Sequence, residues 1–266
     1  MAGPTPLILH ADTARLPIRS GSVDLIVTSP PYNLGMGYAV GDSLAGGAYR
    51  AALAAWGREW HRVLQPRGRL CLNVPLDTSR GSPTPAYYHA LQALLDDAPT
   101  PDGWNYRGTI VWDEGTVNRR TAWGSFASPS APFVMAPVET VIVLAKGGSD
   151  WKRPRRPGLT PTISPADFIR WTLALWPIKG VSPRTAGRVA AFPLDLPHRL
   201  ISLYSYREDL ILDPCAGSGT TGRAAQALGR RSILVDLDPD AVALLRSTFP
   251  PPKSPLKHPY PTEDLS

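Results

Sequence analysis

Two short stretches hold the groups that could do chemistry. The first is Thr28-Ser29-Pro30-Pro31-Tyr32, which follows the apolar run Val23–Thr28. Proline fixes φ and carries no N–H, so the double proline leaves a stiff row of carbonyls. Ser29 Oγ and the Pro30 carbonyl then stand as two neighbouring acceptors. Such a pair suits an amino nitrogen conjugated to a ring, a poor nucleophile because its lone pair is delocalised. Acceptors that hold its hydrogens draw it toward tetrahedral geometry as it attacks. Pro31 keeps the turn rigid, and Tyr32 offers an aromatic face on which a planar ring, rotated out of a stack of bases, could rest. No covalent nucleophile is needed. A bare Pro-Pro would more often simply end a strand, but Ser-Pro-Pro-Tyr is more specific.

The second stretch is Asp213-Pro214-Cys215-Ala216-Gly217-Ser218-Gly219-Thr220, between an apolar run and a helical one. Gly217 and Gly219 allow close approach of the backbone to a ligand and tolerate positive φ. A ligand-free strand-to-helix turn would use the same Gly-x-Gly. Two carboxylates favour a ligand. Asp213 closes the strand before the turn, where it could accept a bond from a charged amino group. Asp236 closes the next strand, 17 residues beyond Gly219, a place suited to holding both hydroxyls of a ribose. A phosphate-binding loop would carry Gly-Lys-Ser/Thr, and this loop has no lysine, so ATP and GTP are disfavoured. A dinucleotide fingerprint would place its third glycine at Gly222, with Ser218 and Thr220 altering the pattern. The glycines alone do not exclude NAD.

Elements of regular structure must position these stretches. Leu7–His10, Val23–Thr28, Leu70–Val74, Thr109–Trp112, Val138–Leu144, Leu210–Leu212 and Ser232–Leu237 read as strands, being short, apolar and partly β-branched. Tyr49–Val63 has apolar residues at three- and four-residue spacing, including Leu53, Trp56 and Trp60, and stops at Pro66 and Gly68, so a helix is expected. Tyr87–Leu95, Leu196–Tyr204, Thr220–Leu228 and Pro239–Arg246 complete the helices. Phe168, Trp171 and Leu175 keep the spacing of a packed helix. Strands alternating with helices indicate a mainly parallel α/β sheet, whose ligands bind at the carboxyl ends of the strands.

Composition narrows the class. The 266 residues are 43% hydrophobic, and the 30 prolines and 23 glycines are scattered rather than repetitive, which fits a folded domain with rigid loops. Net charge is +6, favouring a polyanionic partner. From Lys146 to Arg188 there are nine Lys or Arg against two Asp, with Lys152-Arg153-Pro154-Arg155-Arg156 as the densest run and Trp151, Trp171 and Trp176 interleaved. Two cysteines, Cys71 and Cys215, make no disulfide framework and no cysteine-rich metal site. No metal is expected. The N-terminal residues lack a basic, apolar leader pattern and no membrane-length apolar run occurs, so a cytoplasmic protein without a membrane partner is expected.

Taken together, the Ser-Pro-Pro-Tyr and Asp-Pro-Cys-Ala-Gly-Ser-Gly-Thr-Thr motifs resemble those of the DNA amino-methyltransferases of restriction–modification systems, in the permuted order called the beta class. The likeness runs from Leu9 to about Leu245. It also takes in Gly21-Ser22-Val23-Asp24-Leu25-Ile26, Arg62-Val63-Leu64-Gln65-Pro66-Arg67-Gly68, Trp123-Gly124-Ser125-Phe126 and Phe192-Pro193-Leu194-Asp195. It implies a Rossmann-like methyltransferase fold, circularly permuted, with a mostly parallel sheet and a small target-recognition appendage. Residues 1–146 would form the catalytic half, 147–188 the recognition region, 189–249 the cofactor half and 250–266 a proline-rich tail.

The implied cofactor is S-adenosylmethionine, held by Asp12, Thr28, Phe192, Asp213, Pro214, Cys215, Ala216, Gly217, Ser218, Gly219, Thr220 and Asp236. Phe192 would pack near its methionine end and Asp12 near its adenine, although a strand-end turn would also use an Asp there. The implied substrate is double-stranded DNA, contacted by Lys152, Arg153, Arg155 and Arg156, with Gly35–Gly47 as a loop closing over a flipped base. A cognate restriction endonuclease would act separately on the same site, and the enzyme would be a monomer or homodimer. Ser29, where many adenine-N6 enzymes have Asp, resembles the cytosine-N4 enzymes, with adenine N6 as the alternative. Methylation of RNA or of a protein amide, and a catalytically silent nucleic-acid-binding module, are further readings. The chain departs from the family at Arg188-Val189-Ala190-Ala191, where His-Pro-Ala-Pro is usual, and at Cys215, where Phe is usual and a smaller side chain would pack less tightly.

Overall fold

A computed structural model describes residues 3–32, 47–77, 85–115, 125–132, 134, 138–147, 149–154, 162–181 and 192–251. All of the expected loop Gly35–Gly47 except Gly47, the cations Arg155 and Arg156, the departure at 188–191 and nearly all of the tail lie outside them.

Among the described residues eight strands form one sheet: β1 (Leu7–His10), β2 (Val23–Thr28), β3 (Leu64–Pro75), β4 (Trp104–Asp113), β5 (Val138–Lys146), β6 (Leu175–Pro177), β7 (Leu210–Asp213) and β8 (Arg231–Asp236). Their spatial order is β1-β8-β7-β2-β3-β5-β4-β6. All neighbours are parallel except that β5 runs antiparallel to both β3 and β4. The permutation is visible in this order. β2, from the first half of the chain, lies beside β7 from the last, in register Leu25↔Ile211 and Ile26↔Leu212. Serine and glycine motifs more than 180 residues apart therefore leave the same edge of the sheet side by side.

Strand alternation sends neighbouring residues to opposite faces. Ile26, Leu70, Leu72, Val74, Ile142 and Leu144 pack on one face with Leu53, Trp60, Ala90 and Leu94. These last belong to α1 (Gly47–Val63) and α2 (Ala86–Leu95). Leu25, Val27, Cys71, Val141, Val143 and Ile211 face the other way onto Trp171, Leu200, Ile201 and Ala224. That layer is built from α3 (Pro165–Trp171), α4 (Asp195–Tyr204) and α5 (Thr220–Ala227). A last helix, α6 (Pro239–Thr248), packs Leu245 against Leu234 with Phe249.

Three sequence expectations are corrected. First, α1 ends at Val63 as expected, but β3 begins at once at Leu64, six residues before the expected strand start at Leu70. The helix stop is a side chain from far away, because Lys146 Nζ donates to the carbonyls of His61 and Leu64 at 2.8 Å each. Second, Phe168, Trp171 and Leu175 do not share one packed helix. α3 stops at Trp171, Leu175 lies on β6, and Phe168 and Leu175 are exposed while Trp171 and Trp176 are buried.

Third, the described part of the basic run, residues 151–154, does not lie beside the motifs. Because β5 runs backward, its end lies at the amino edge of the sheet, opposite Ser29, where Ala145 is registered with Arg69. Arg153 there donates to Asp24 at 3.0 Å and to Asp209 at 2.9 Å, all three side chains being nearly or fully buried. Its charge is neutralised inside the fold by these two carboxylates, which is not the exposed place expected of a DNA contact. Lys152 is exposed at that same amino edge, 5.9 Å from the Trp151 ring.

Candidate active site

At the carboxyl edge one cavity is lined by both motifs: Ser29, Pro30, Pro31 and Tyr32 after β2, and Asp213, Pro214, Cys215, Ala216, Gly217, Ser218 and Thr220 after β7. Asp236 from the end of β8, Asp12 after β1 and Phe192 before α4 close it. Of the expected catalytic and cofactor residues, all but Thr28 and Gly219 line it. Thr28 Oγ1 is buried behind the wall and donates to Asp213 at 2.9 Å. Gly219 takes φ +78 as the N-cap of α5, and a Cβ there would stand 2.7 Å from Leu245 and 2.8 Å from Phe249. Gly222, one turn on, would clash likewise with Leu234 at 2.6 Å. It is the glycine that lets helix and sheet approach.

The cavity's charge is one-sided. Asp12, Asp213, Asp236 and Asp238 line it, and no Lys or Arg does so among the described residues. Asp236 Oδ2 accepts from the Gly217 N–H at 2.8 Å and Oδ1 from the Asp238 N–H at 3.0 Å. Each oxygen then has a further lone pair for a diol. Burial raises the Asp236 pKa. It pushes Asp213 up to about 6, against the bonds from Thr221, Thr28 and the Cys215 N–H that favour its charge. Asp12 serves as turn and lining together, its Oδ1 accepting from the Ala14 N–H at 2.8 Å. The Cys215 thiol is pushed far up by burial and by Asp213 and Asp236, so it supplies no thiolate nucleophile.

Around the serine the hydrogen bonds are dense. Tyr49 Oη donates to the Pro31 carbonyl at 2.7 Å, so the acceptor left beside Ser29 is that of Pro30. Ser29 Oγ lies 2.6 Å from Tyr32 Oη. Tyr32 Oη donates to Glu139 Oε2 at 3.0 Å and accepts from Asn73 Nδ2 at 2.6 Å. Asn73 also donates to Glu139. The tyrosine ring is thus anchored by its hydroxyl.

Sequence reading missed Asn73 and Glu139, and also Thr13, Trp56, Leu237, Asp238 and Ala241 of the lining. A polar residue in each apolar strand, Leu-Asn-Val on β3 and Val-Glu-Thr on β5, was the available signal. Trp56 gave none, since its helical spacing marks it as core. No group of three or more metal-ligating side chains occurs among the described residues, and no helix among them is long and apolar enough to cross a membrane.

The sequence family described as DNA methylase, covering N6 and N4 methyltransferases, matches residues 23–247. The type II methyltransferase M.MjaVI of Methanocaldococcus jannaschii is 40% identical over 181 residues, which span 66% of this chain and 87% of that one. TTHA0409 of Thermus thermophilus, solved with S-adenosyl-L-methionine, superposes with a TM-score of 0.70 at 26% identity, covering 92% of this chain and 93% of its own. The PvuII DNA methyltransferase, described as cytosine-N4-specific, has the same fold, with a TM-score of 0.70 at 18% identity over 95% of this chain and 89% of its own.

Proposed function

The chain belongs to the N6/N4 DNA methylase family, and from that premise we propose that it transfers a methyl group from S-adenosylmethionine to the exocyclic N4 of a cytosine flipped out of double-stranded DNA. One observation carries this reading: a single cavity joins Asp236, Gly217 and Asp213 to Ser29 and Pro30. A cationic cofactor fits a pocket of four carboxylates without a lysine or arginine. The free lone pairs of Asp236 would hold its ribose hydroxyls, Asp213 its amino group, and Phe192 would pack along its methionine end. Bound there, it supplies an electrophilic methyl group to an amino nitrogen held by Ser29 Oγ and the Pro30 carbonyl. Those two acceptors concentrate electron density on nitrogen only as it turns tetrahedral, so they act on the transition state. No covalent enzyme intermediate is required.

Cytosine is favoured over adenine by Ser29, the residue that sets the N4 enzymes apart in the resemblance. DNA would be met at the carboxyl edge. From β2 to β6 the sheet spans four strand spacings, about 19 Å, more than the roughly 12 Å of a major groove. The chain beyond β6 returns to this edge, with Lys179 exposed between Ile178 and Gly180, whose N–H donates to the Glu114 carbonyl at 3.3 Å. Within 147–188, recognition is therefore assigned to the residues after β6 and not to Trp151–Arg153. Action in a type II modification system, with a separate endonuclease at the same site, follows the same resemblance.

The test is incubation with unmodified DNA and methyl-labelled cofactor, followed by digestion to nucleosides and mass analysis. N4-methylcytosine is expected, and Ser29→Ala should lower kcat by about 10²-fold or more. N6-methyladenine would replace the cytosine assignment, and DNA without label would end the proposal.

A further inference from the structure

We propose that Glu139 is the positioning residue of the catalytic motif. Acting through Tyr32, it fixes which way the Ser29 hydroxyl proton points, and it is the final acceptor of the proton that leaves the amino nitrogen. This rests on the methyl-transfer reading above.

Hydrogen-bond arithmetic supports it. A phenolic hydroxyl has one proton to give and two lone pairs. Tyr32 gives its proton to Glu139 and uses one lone pair on Asn73. The remaining partner, Ser29 at 2.6 Å, must then be a donor to Tyr32. With its only proton turned toward Tyr32, Ser29 Oγ shows lone pairs to the cavity, as an acceptor of amino hydrogens must. Asn73, donating to both Tyr32 Oη and Glu139, steadies this polarity because an amide N–H cannot accept.

Protonating Glu139 inverts the chain. The carboxyl then donates to Tyr32, Tyr32 to Ser29, and Ser29 must point its own proton into the cavity, where it opposes the amino hydrogens. Glu139 is placed for such a change. Asn73 meets it from β3, Tyr32 and through it Ser29 from the turn after β2, and Glu114 faces it from the end of β4. Desolvation, with a smaller contribution from Glu114, raises its pKa to about 7 in spite of the bonds from Asn73 and Tyr32.

The same chain removes the product proton. After the nitrogen has bonded to the methyl carbon it is cationic. One N–H bond breaks with its electron pair left on nitrogen. The proton passes to Ser29 Oγ, the Ser29 proton to Tyr32 Oη and the Tyr32 proton to Glu139 Oε2. A neutral methylated amine and a neutral Glu139 result, and the latter returns its proton to solvent.

The experiment compares single-turnover methylation of DNA by wild type, Glu139→Gln, Glu139→Asp, Tyr32→Phe and Ser29→Ala from acid to alkaline pH, with cofactor Kd measured alongside. Wild type should gain rate with the ionised fraction of Glu139, reaching half its plateau near pH 7 and levelling about one pH unit above. In Glu139→Gln the amide oxygen can still accept from Tyr32 and Asn73 but the side chain takes up no proton, so the rate should fall about 10²-fold at every pH and lose that rise, with cofactor Kd within about threefold of wild type. Tyr32→Phe, which removes only a hydroxyl, should lose the same pH dependence. Glu139→Asp should recover it in part. Should Glu139→Gln fail to bind cofactor through misfolding, Tyr32→Phe decides. A plateau rate within about threefold of wild type in Glu139→Gln, or a wild-type pH rise persisting in Tyr32→Phe, overturns the proposal while leaving methyl transfer intact. An inactive wild type overturns the underlying reading instead, and an active Ser29→Ala removes its catalytic assignment.

Discussion

At the scale of single residues, Asp213 is held at a cost. Thr28, Thr221 and the Cys215 N–H all donate to it, yet burial keeps its pKa near 6. An acid whose folded pKa lies above its unfolded value favours the fold most when protonated, so stability is lost as pH rises from about 3.8 to about 6. A bound cation reverses the preference by favouring the carboxylate. Cofactor binding should therefore expel a proton below about pH 6, and affinity should climb with pH until Asp213 is ionised, then level. Calorimetric titration at several pH values, in buffers of different ionisation enthalpy, would show both effects. A Kd independent of pH between about 5 and 7 would remove Asp213 from the cofactor's charged group. Asp213→Asn should bind about 10- to 100-fold more weakly while unfolding at the same or a higher temperature at neutral pH.

At the scale of elements, the turns that lead into β2 and into α5 depend on glycine for two separable reasons. Gly21 and Gly219 both have positive φ, +65 and +78, but a Cβ on Gly21 meets nothing within 4 Å while one on Gly219 runs into Leu245 and Phe249. Gly21→Ala should cost about 1 kcal/mol, the backbone effect alone, and Gly219→Ala about 3 kcal/mol, with packing strain added. Urea unfolding of both variants gives the difference, and equal losses would mean that the close approach of α6 carries no weight. Elements of this kind were legible wherever local sequence decided them. β1 and β2 lie where apolar runs bounded by turn residues place them, and most other elements differ from expectation only at their ends. Legibility failed where distant groups decide. Nothing near Leu64 announces that β3 starts there beside Lys146, and nothing near Leu175 shows that β4 will pair with it and draw it out of the helical period. In the site, motif residues were readable because local spacing carries them. Glu139 and Asn73 were not, since only the pairing of β3 with β5 brings them to Tyr32.

At the scale of the whole molecule, net charge pointed toward nucleic acid but not toward a face. The densest basic run in the sequence follows β5, the one strand that runs against both its neighbours, and that reversal carries Trp151–Arg153 to the edge opposite Ser29. There Arg153 and Arg107 work within the fold. Arg153 lies between Asp24 and Asp209, and Arg107 stacks 3.4 Å from the centre of the Trp151 ring. Lys179 stands at the other edge, exposed and without an ion pair among the described residues' bridges. The two cations should therefore separate stability from binding. Arg153→Ala removes the guanidinium from between two buried carboxylates and should destabilise by about 3 kcal/mol. At temperatures where the variant remains folded, DNA affinity and its salt dependence should be unchanged. Lys179→Ala should leave the melting temperature within about 2 °C and weaken DNA binding several-fold, lowering the slope of log K against log salt by about 1. Fluorescence anisotropy with a duplex over a salt series checks both. A shallower slope in Arg153→Ala, with none in Lys179→Ala, would put the DNA on the amino edge and separate it from the cavity at Ser29, which is incompatible with a base reaching the acceptors there.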